Sequence, residues 1–147
     1  MNSGIFGLEE VLRDLELTSE EIDNAMDEIS KEIATEILEG AIQNVNGPKI
    51  GKVKKGPKIK SISFYKQPYP VGVRTGNLKR SLKIKSMGRA KHKVFADMNI
   101  ANYACHVHDG TTVMRPRPFL DDAVDELMDS NKYLDIAGKI IDDILNE

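Results

Sequence analysis

The chain has 147 residues and a formal net charge of −2, which is enough for one domain with a real core but not for two independent ones. Hydrophobic residues at 40% and charged residues at 30% argue against wholesale disorder. No apolar run approaches the roughly 20 residues that span a bilayer, so no membrane contact is expected. The single cysteine, Cys105, cannot form an internal disulfide and fits synthesis in a reducing compartment.

Charge is sorted along the chain into three blocks. Residues 1–46 carry 12 acidic and 2 basic side chains, residues 47–93 carry 15 basic and no acidic side chains, and residues 94–147 carry 11 acidic and 4 basic side chains. Such asymmetry bears on partners and association rather than on fold. Since no catalytic constellation accompanies the blocks, the pattern indicates an assembly or binding module rather than an enzyme.

Two helices are predicted in the first acidic block. Apolar residues at three- and four-residue spacing predict a short helix over about residues 5–16. Thr18 and Glu21 then form the capping-box pattern, in which each side chain satisfies a free backbone donor of the other residue. A longer apolar stripe follows. It predicts a helix from Ser19 to about Asn44, which ends before a Gly-Pro pair.

The basic block opens with a segment rich in lysine, glycine and proline. Its two prolines, three glycines and six lysines favour an extended or mobile loop over residues 47–61, or a long hairpin. Alternating apolar and basic residues at 82–85 predict a strand, and residues 94–98 its antiparallel partner, with Gly88 in the turn between them. Residues 100–108 fit a short helix or a strand.

Two apolar stripes at helical spacing follow the prolines near residue 117 and predict C-terminal helices. The chain is therefore predicted to be one α+β domain, with a long N-terminal helix and C-terminal helices packed on a small antiparallel sheet. Its predicted parts are a short N-terminal helix (1–17), a long helix (18–46), a basic loop (47–61), a sheet region (62–114) and C-terminal helices (118–146).

Four neighbouring residues, Cys105, His106, His108 and Asp109, were the candidates for chemistry. The two histidines would share a face on a strand, as metal ligands can. A zinc site, however, needs three or four ligands, and His92 is the one further imidazole. A nucleophilic thiol needs an adjacent base, and neighbours along a strand point to opposite faces. We therefore predict no catalytic residue, no metal site and no cofactor.

The lysine-rich loop is the candidate interaction site. Its lysines are Lys49, Lys52, Lys54, Lys55, Lys58 and Lys60. They could neutralise the phosphates of a nucleic acid without reading its sequence. They could instead dock on an acidic protein surface, including the acidic helices of a neighbouring copy, and charge complementarity favours this second interpretation.

Three short motifs resemble segments of a known protein family. Residues 70–82 contain a T-G-x-L-(K/R)-x-S-(I/L) pattern, residues 102–111 match Y-A-x-x-V-(E/H)-x-G-T, and residues 117–123 match (R/K)-P-F-(L/M)-x-x-A. In this order they are similar to the minor head–tail joining or tail-completion proteins of long-tailed bacteriophages and prophages. The resemblance runs from about residue 70 to 125. This sequence departs from the family's usual pattern at His108, where an acid is common.

The resemblance implies a small, non-enzymatic α+β component of the phage neck, between the capsid connector and the tail. It implies assembly as a homo-oligomeric ring and contact with other neck or tail proteins. It also implies a place in the virion after synthesis in the cytoplasm of the bacterial host. The alternative is a nonspecific nucleic-acid-binding protein that uses residues 49–60.

Most motif residues are expected to be architectural, since glycines, prolines and buried aromatics usually are. Tyr103, Ala104 and Phe119 are expected to pack beneath the sheet, and Pro118 to set the first turn of a helix. The motif residues are Thr75, Gly76, Leu78, Ser81, Tyr103, Ala104, Gly110, Thr111, Pro118, Phe119 and Ala123.

Overall fold

A computed structural model describes residues 13–14, 16–49, 69–112 and 114–146. Its architecture is α+β, as predicted. The elements in chain order are helix α1 (Ser19–Asn44), strands β1 (Gly47–Lys49) and β2 (Gly72–Val73), helix α2 (Asn77–Ser81), strands β3 (Leu82–Gly88) and β4 (Lys91–Ala96), and helices α3 (Ala104–Asp109), α4 (Phe119–Asp129) and α5 (Lys132–Leu145). Most of the helix predicted over 5–16 lies outside the described residues, and residues 13–14 of it are helical. All but the first residues of the basic loop also lie outside them.

Helix α1 has the bounds that the sequence predicted. Its capping box is formed: the Glu21 amide donates to Thr18 Oγ1 over 3.2 Å, and the Thr18 amide donates to Glu21 Oε2 over 2.8 Å. The hydrogen bond from the Thr18 amide, and to a smaller extent that from the Thr18 hydroxyl, hold the pKa of the Glu21 carboxyl below its usual value. Because two backbone donors are satisfied before the first turn, the start of the helix is fixed locally.

The core is built along α1, which contacts the C-terminal helices as well as the sheet. Its N-terminal half packs on α5, where Ile29 lies with Ala137 and Ile140. Its C-terminal half packs on α4. There a Cβ added to Gly40 would meet the Ala123 Cβ at 3.2 Å, so the two helices approach closely at a pair of small residues.

Strands β3 and β4 form the predicted antiparallel hairpin, and Gly88 has the positive φ of 131° that its turn requires. The hairpin packs along α1, and Ser30 Oγ lies 2.9 Å from His92 Nδ1. A second, two-stranded sheet joins β1 to β2 in parallel. The sequence did not predict this pair, because its two partners are separated by the lysine-rich segment.

The ambiguous stretch 100–108 ends in helix α3, not in a strand. This helix is short, and its buried residues Ala104 and Val107 lie three residues apart, which places them on one face. In the part of the chain that the structure describes, no helix is both long and apolar enough to cross a membrane.

Candidate functional site

The three motif segments meet at one end of the fold. Val71, Leu78, Ala104, Phe119 and Ala123 belong to a single buried cluster, together with the last turn of α1. The segments are far apart in sequence but share this cluster, because β2, α2, α3 and α4 all close over the same end of α1. The motifs therefore define one structural unit.

The first motif forms a tight turn into α2. Gly76 precedes the helix with a φ of 79°, a left-handed conformation that favours glycine. Thr75 Oγ1 accepts a 3.3 Å hydrogen bond from the Asn77 amide, and the Arg80 guanidinium donates to Asn77 Oδ1. The polar side chains of this motif thus bond to one another and set the turn.

Ser81 closes the first motif inside the protein. Its side chain is fully buried, and its Oγ donates a 2.6 Å hydrogen bond to the Leu78 carbonyl. Its own carbonyl accepts from the Asp97 amide over 2.7 Å, which ties α2 to the segment after β4. The buried hydroxyl thus has a backbone partner within α2, and the backbone carbonyl of Ser81 joins α2 to the segment after β4.

The second motif is split between exposed and buried residues. Ala104 is 1% exposed, but Tyr103 is 39% exposed, so the expectation that Tyr103 packs beneath the sheet is wrong. Tyr103 precedes the first residue of α3, a helix instead of a strand, and the helical turn directs Ala104 inward in its place. Gly110 ends α3 with a φ of 78°, and a Cβ there would lie 2.8 Å from the Met114 carbonyl oxygen. Thr111 pairs with Met114 in an isolated bridge.

The third motif starts α4. Phe119 is 1% exposed and is among the largest fully buried side chains of the described residues. Pro118 occupies the position before the first helical residue, not the first turn itself, and its carbonyl accepts from the Asp122 amide over 2.8 Å. Asn44 at the end of α1 donates to the Phe119 carbonyl over 3.1 Å. This bond fixes the start of α4 against the end of α1.

A groove of about 460 Å³ opens where the motif segments meet. Three cationic side chains line it: Arg74 and Lys79 from the first motif and Arg117 from the third. Burial lowers the pKa of the Arg117 guanidinium, which nevertheless stays charged. No acid is among the described residues that line the groove, which are Val45, Val71, Gly72, Val73, Arg74, Thr75, Gly76, Asn77, Leu78, Lys79, Tyr103, Val107 and Arg117.

Helix α3 does not bring the four candidates for chemistry, residues 105, 106, 108 and 109, onto one face. Cys105 is exposed, and residues two apart, such as His106 and His108, point away from each other on a helix and not to one face. His108 instead lies 2.7 Å from Asp109 and edge-on to Phe119, with ring centroids 5.1 Å apart. Among the described residues, no group of three or more His, Cys, Asp or Glu side chains could hold a metal ion.

Of the predicted lysine site, the structure describes Lys49 alone, which is exposed at the end of β1. Lys52, Lys54, Lys55, Lys58 and Lys60 lie outside the described residues. The two flanks of the segment are joined, because the Gly47 amide donates to the Val71 carbonyl over 2.9 Å and the Val71 amide donates to the Asn44 carbonyl over 2.7 Å. The described residues on either side of the lysine-rich segment are therefore held together beside the motif groove, which Val71, Gly72 and Val73 line.

The sequence reasoning missed two contributors. The motif pattern includes Arg117 but gives no sign that its side chain lines the groove. The register of the hairpin was also missed: it places Lys85 directly opposite Lys93. The alternation at 82–85 was visible in the sequence, but pairing it residue by residue with β4 needed the position of the turn.

No protein family model, curated protein or solved structure matches the chain.

Proposed function

We propose that this chain is a structural protein of the neck of a long-tailed bacteriophage or prophage. It joins the capsid connector to the tail, assembles as a ring and carries out no chemistry. Its partners are further copies of itself and other neck or tail proteins, and its place of action is the virion after synthesis in the host cytoplasm. The family resemblance of the three motifs suggests this role.

The observation that carries the proposal is the convergence of the three motifs. They are spread over residues 70–125, yet their buried apolar members lie in one cluster, and each motif contributes at least one residue to the lining of one groove. Here the exposed residues Arg74, Lys79 and Tyr103 line one opening. A cationic, partly apolar groove suits recognition of a protein surface.

The test is deletion of the gene in a phage or prophage that carries it, followed by electron microscopy of the lysate. We expect filled heads and complete tails that are not joined, and restored particles when the wild-type gene is supplied in trans. Normal joined particles from the deletion would overturn the proposal.

Complementation with variants then tests the groove. Arg74→Glu combined with Lys79→Glu reverses two exposed charges there and is expected to lower the yield of joined particles by at least about tenfold. Lys31→Glu combined with Lys139→Glu makes the same change of net charge on exposed helical positions away from the groove. This control is expected to restore joining.

Nucleic-acid binding by residues 49–60 is the second candidate, because this stretch carries six lysines and no acid. A salt titration of duplex DNA binding separates the two. Contact with phosphates predicts that the logarithm of the binding constant falls steeply and linearly with the logarithm of salt concentration. Substitution of the six lysines by glutamine should abolish that slope, and a slope that is absent in the wild type excludes this function.

A further inference from the structure

The outer face of the β3–β4 hairpin lies, within the described part of the chain, on the side away from α1. In an antiparallel pair, alternate residues share one face. Leu82, Ile84 and Val94 are at least partly buried and belong to the side that packs on α1. The other side, called here the cationic hairpin face, consists of Lys83, Lys85, Met87, Lys91, Lys93 and Phe95.

Apart from Lys83, the lysines of this face form no ion pair within the described part of the chain. Lys83 pairs with Asp97 over 2.8 Å, and the Lys93 ammonium lies 5.4 Å from the centre of the Phe95 ring. Lys85 and Lys93 form no ion pair with any residue that the structure describes. They stand directly opposite each other across the strands, and like charges in that arrangement destabilise a sheet. The arrangement would be relieved by an anionic surface laid across the hairpin.

Helix α4 presents a surface of the opposite charge. Asp121, Asp125 and Asp129 recur every four residues on α4, and all three are exposed. Asp121 lies 3.8 Å from His108 Nε2, whereas Asp125 and Asp129 form no ion pair with a described residue. The three carboxylates therefore form an acidic row on one side of the helix, in which each residue is rotated by about 40° from the one before it.

The two surfaces also match in spacing. Alternate residues along a β-strand are about 6.7 Å apart, and residues four apart on an α-helix rise by about 6 Å. Lys83 and Lys85 on one strand, with Lys91 and Lys93 on the other, therefore repeat at nearly the interval of the Asp121–Asp125–Asp129 row. A helix laid along the hairpin would bring successive carboxylates close to successive ammonium groups.

We propose that the cationic hairpin face of one copy binds the acidic α4 row of a second copy. Because the two surfaces differ, the contact is heterologous: each copy has one face of each kind, and repetition closes a ring when the rotation permits. The inference deepens the ring-forming role proposed above and rests on it. Within one copy, both faces are exposed and already belong to the rigid elements that pack on α1.

A nucleic acid is the competing occupant of the hairpin face. The face has no arginine; Arg89, at the hairpin tip, is engaged with Asp23 over 2.6 Å. Base readout and stacking on single strands rely on arginine and aromatic side chains, of which Phe95 is the sole aromatic here. The acidic row on the same chain, with matching spacing, favours a second copy.

The experiment uses the full-length protein in sedimentation velocity over a range of concentrations and salt. We expect self-association at low ionic strength and dissociation near about 1 M salt, where the screening length falls to about 3 Å. Lys85→Gln with Lys93→Gln, and separately Asp125→Asn with Asp129→Asn, are each expected to weaken association by about tenfold or more. Lys31→Gln with Lys139→Gln is the matched control and is expected to associate as the wild type does.

Mixing the two variants is the decisive arm. Each lacks one face, so the mixture is expected to stop at a one-to-one heterodimer, which a symmetric contact between identical faces would not form. The variant Lys85→Gln with Lys93→Gln should unfold at a urea concentration no lower than the wild type does, as followed by circular dichroism, since it removes a like-charge pair. Any loss of association therefore reports on binding and not on folding.

Three results would overturn the inference: a wild type that stays monomeric at every concentration in low salt, association that both variants leave unchanged, or mixtures without heterodimer. A monomer that binds duplex DNA through Lys85 and Lys93 would assign the face to a polyanion instead. The proposed function fails separately, in the gene deletion. A chain that self-associates through these faces but is dispensable for joining heads to tails would keep this inference and reject the neck role.

Discussion

The carboxylate of Asp27 on α1 holds the tip of the β3–β4 hairpin: its Oδ1 accepts a 2.9 Å hydrogen bond from the backbone amide of Ala90. Ala90 has a φ of 54°, a conformation that L-residues other than glycine, asparagine and aspartate rarely adopt. One turn earlier on α1, Asp23 pairs with Arg89. Two acids four residues apart thus set where the hairpin ends on the long helix.

Asp27→Ala is expected to lower the free energy of unfolding by about 1–2 kcal/mol, because the amide of Ala90 loses a charged acceptor in a partly buried position. Asp23→Ala removes an exposed ion pair and is expected to change it by less than about 1 kcal/mol. Urea unfolding followed by circular dichroism measures both. Equal effects of the two substitutions would contradict the anchoring role of Asp27.

Gly47→Ala is expected to destabilise the protein by about 2–3 kcal/mol or more, since the added Cβ would lie 2.3 Å from the Pro70 carbonyl oxygen. That oxygen is backbone and cannot turn aside. Gly138→Ala is the matched control: nothing lies within 4 Å of the added Cβ in the interior of α5, and a gain of about 0.5–1 kcal/mol is expected. Thermal and urea unfolding give the sign of each change. A neutral Gly47→Ala would mean that β1 and β2 do not approach this closely.

Local signals predicted the fold wherever they were complete. The capping box at Thr18 and the Gly-Pro pair beyond α1 fixed both ends of the helix, because each acts within one turn. The hairpin followed from alternation on either side of Gly88. The parallel pair of β1 and β2 could not be predicted, since strands of two and three residues carry no periodic signal and their pairing depends on distant backbone.

The candidate site was less accessible to sequence reasoning for the same reason. The motif residues were identified one by one, but their convergence depends on how α2, α3 and α4 close over α1. The exposure of Tyr103 followed from a helix where the sequence also allowed a strand, and that choice rotates every neighbouring side chain. The motif groove and the cationic hairpin face depend on tertiary structure. The surroundings of Arg117 and of the Lys85–Lys93 pair are formed by residues that no local sequence pattern specifies.

Cys105→Ser is expected to leave the free energy of unfolding within about 0.5 kcal/mol of the wild type, because the side chain is exposed. Under the proposed structural role, joining of heads to tails is also expected to be unchanged in the complementation assay. Loss of joining by a variant that unfolds at the wild-type urea concentration would bring a thiol-dependent function back into consideration.

Tyr69 is predicted to ionise late. Its hydroxyl donates a 2.6 Å hydrogen bond to Asp122 Oδ2, and burial, this bond and the negative charge of Asp122 raise the pKa of the Tyr69 phenol above its ordinary value of 10.0. Ultraviolet titration should therefore show a late ionisation step that belongs to Tyr69. Tyr69→Phe should remove it, Asp122→Ala should move it back towards 10.0, and Tyr133→Phe should keep it.

The same bond gives stability an alkaline limit. Because the phenol of Tyr69 holds its proton more tightly in the folded protein than in the unfolded chain, its contribution is fully present below pH 10.0 and is lost as pH rises towards the folded pKa. Tyr69 is 43% exposed, so solvent screens part of the effect. Urea midpoints of the wild type and of Tyr69→Phe should differ near neutral pH and converge in strong alkali. A difference that grows with pH would show that Asp122 does not hold the neutral phenol.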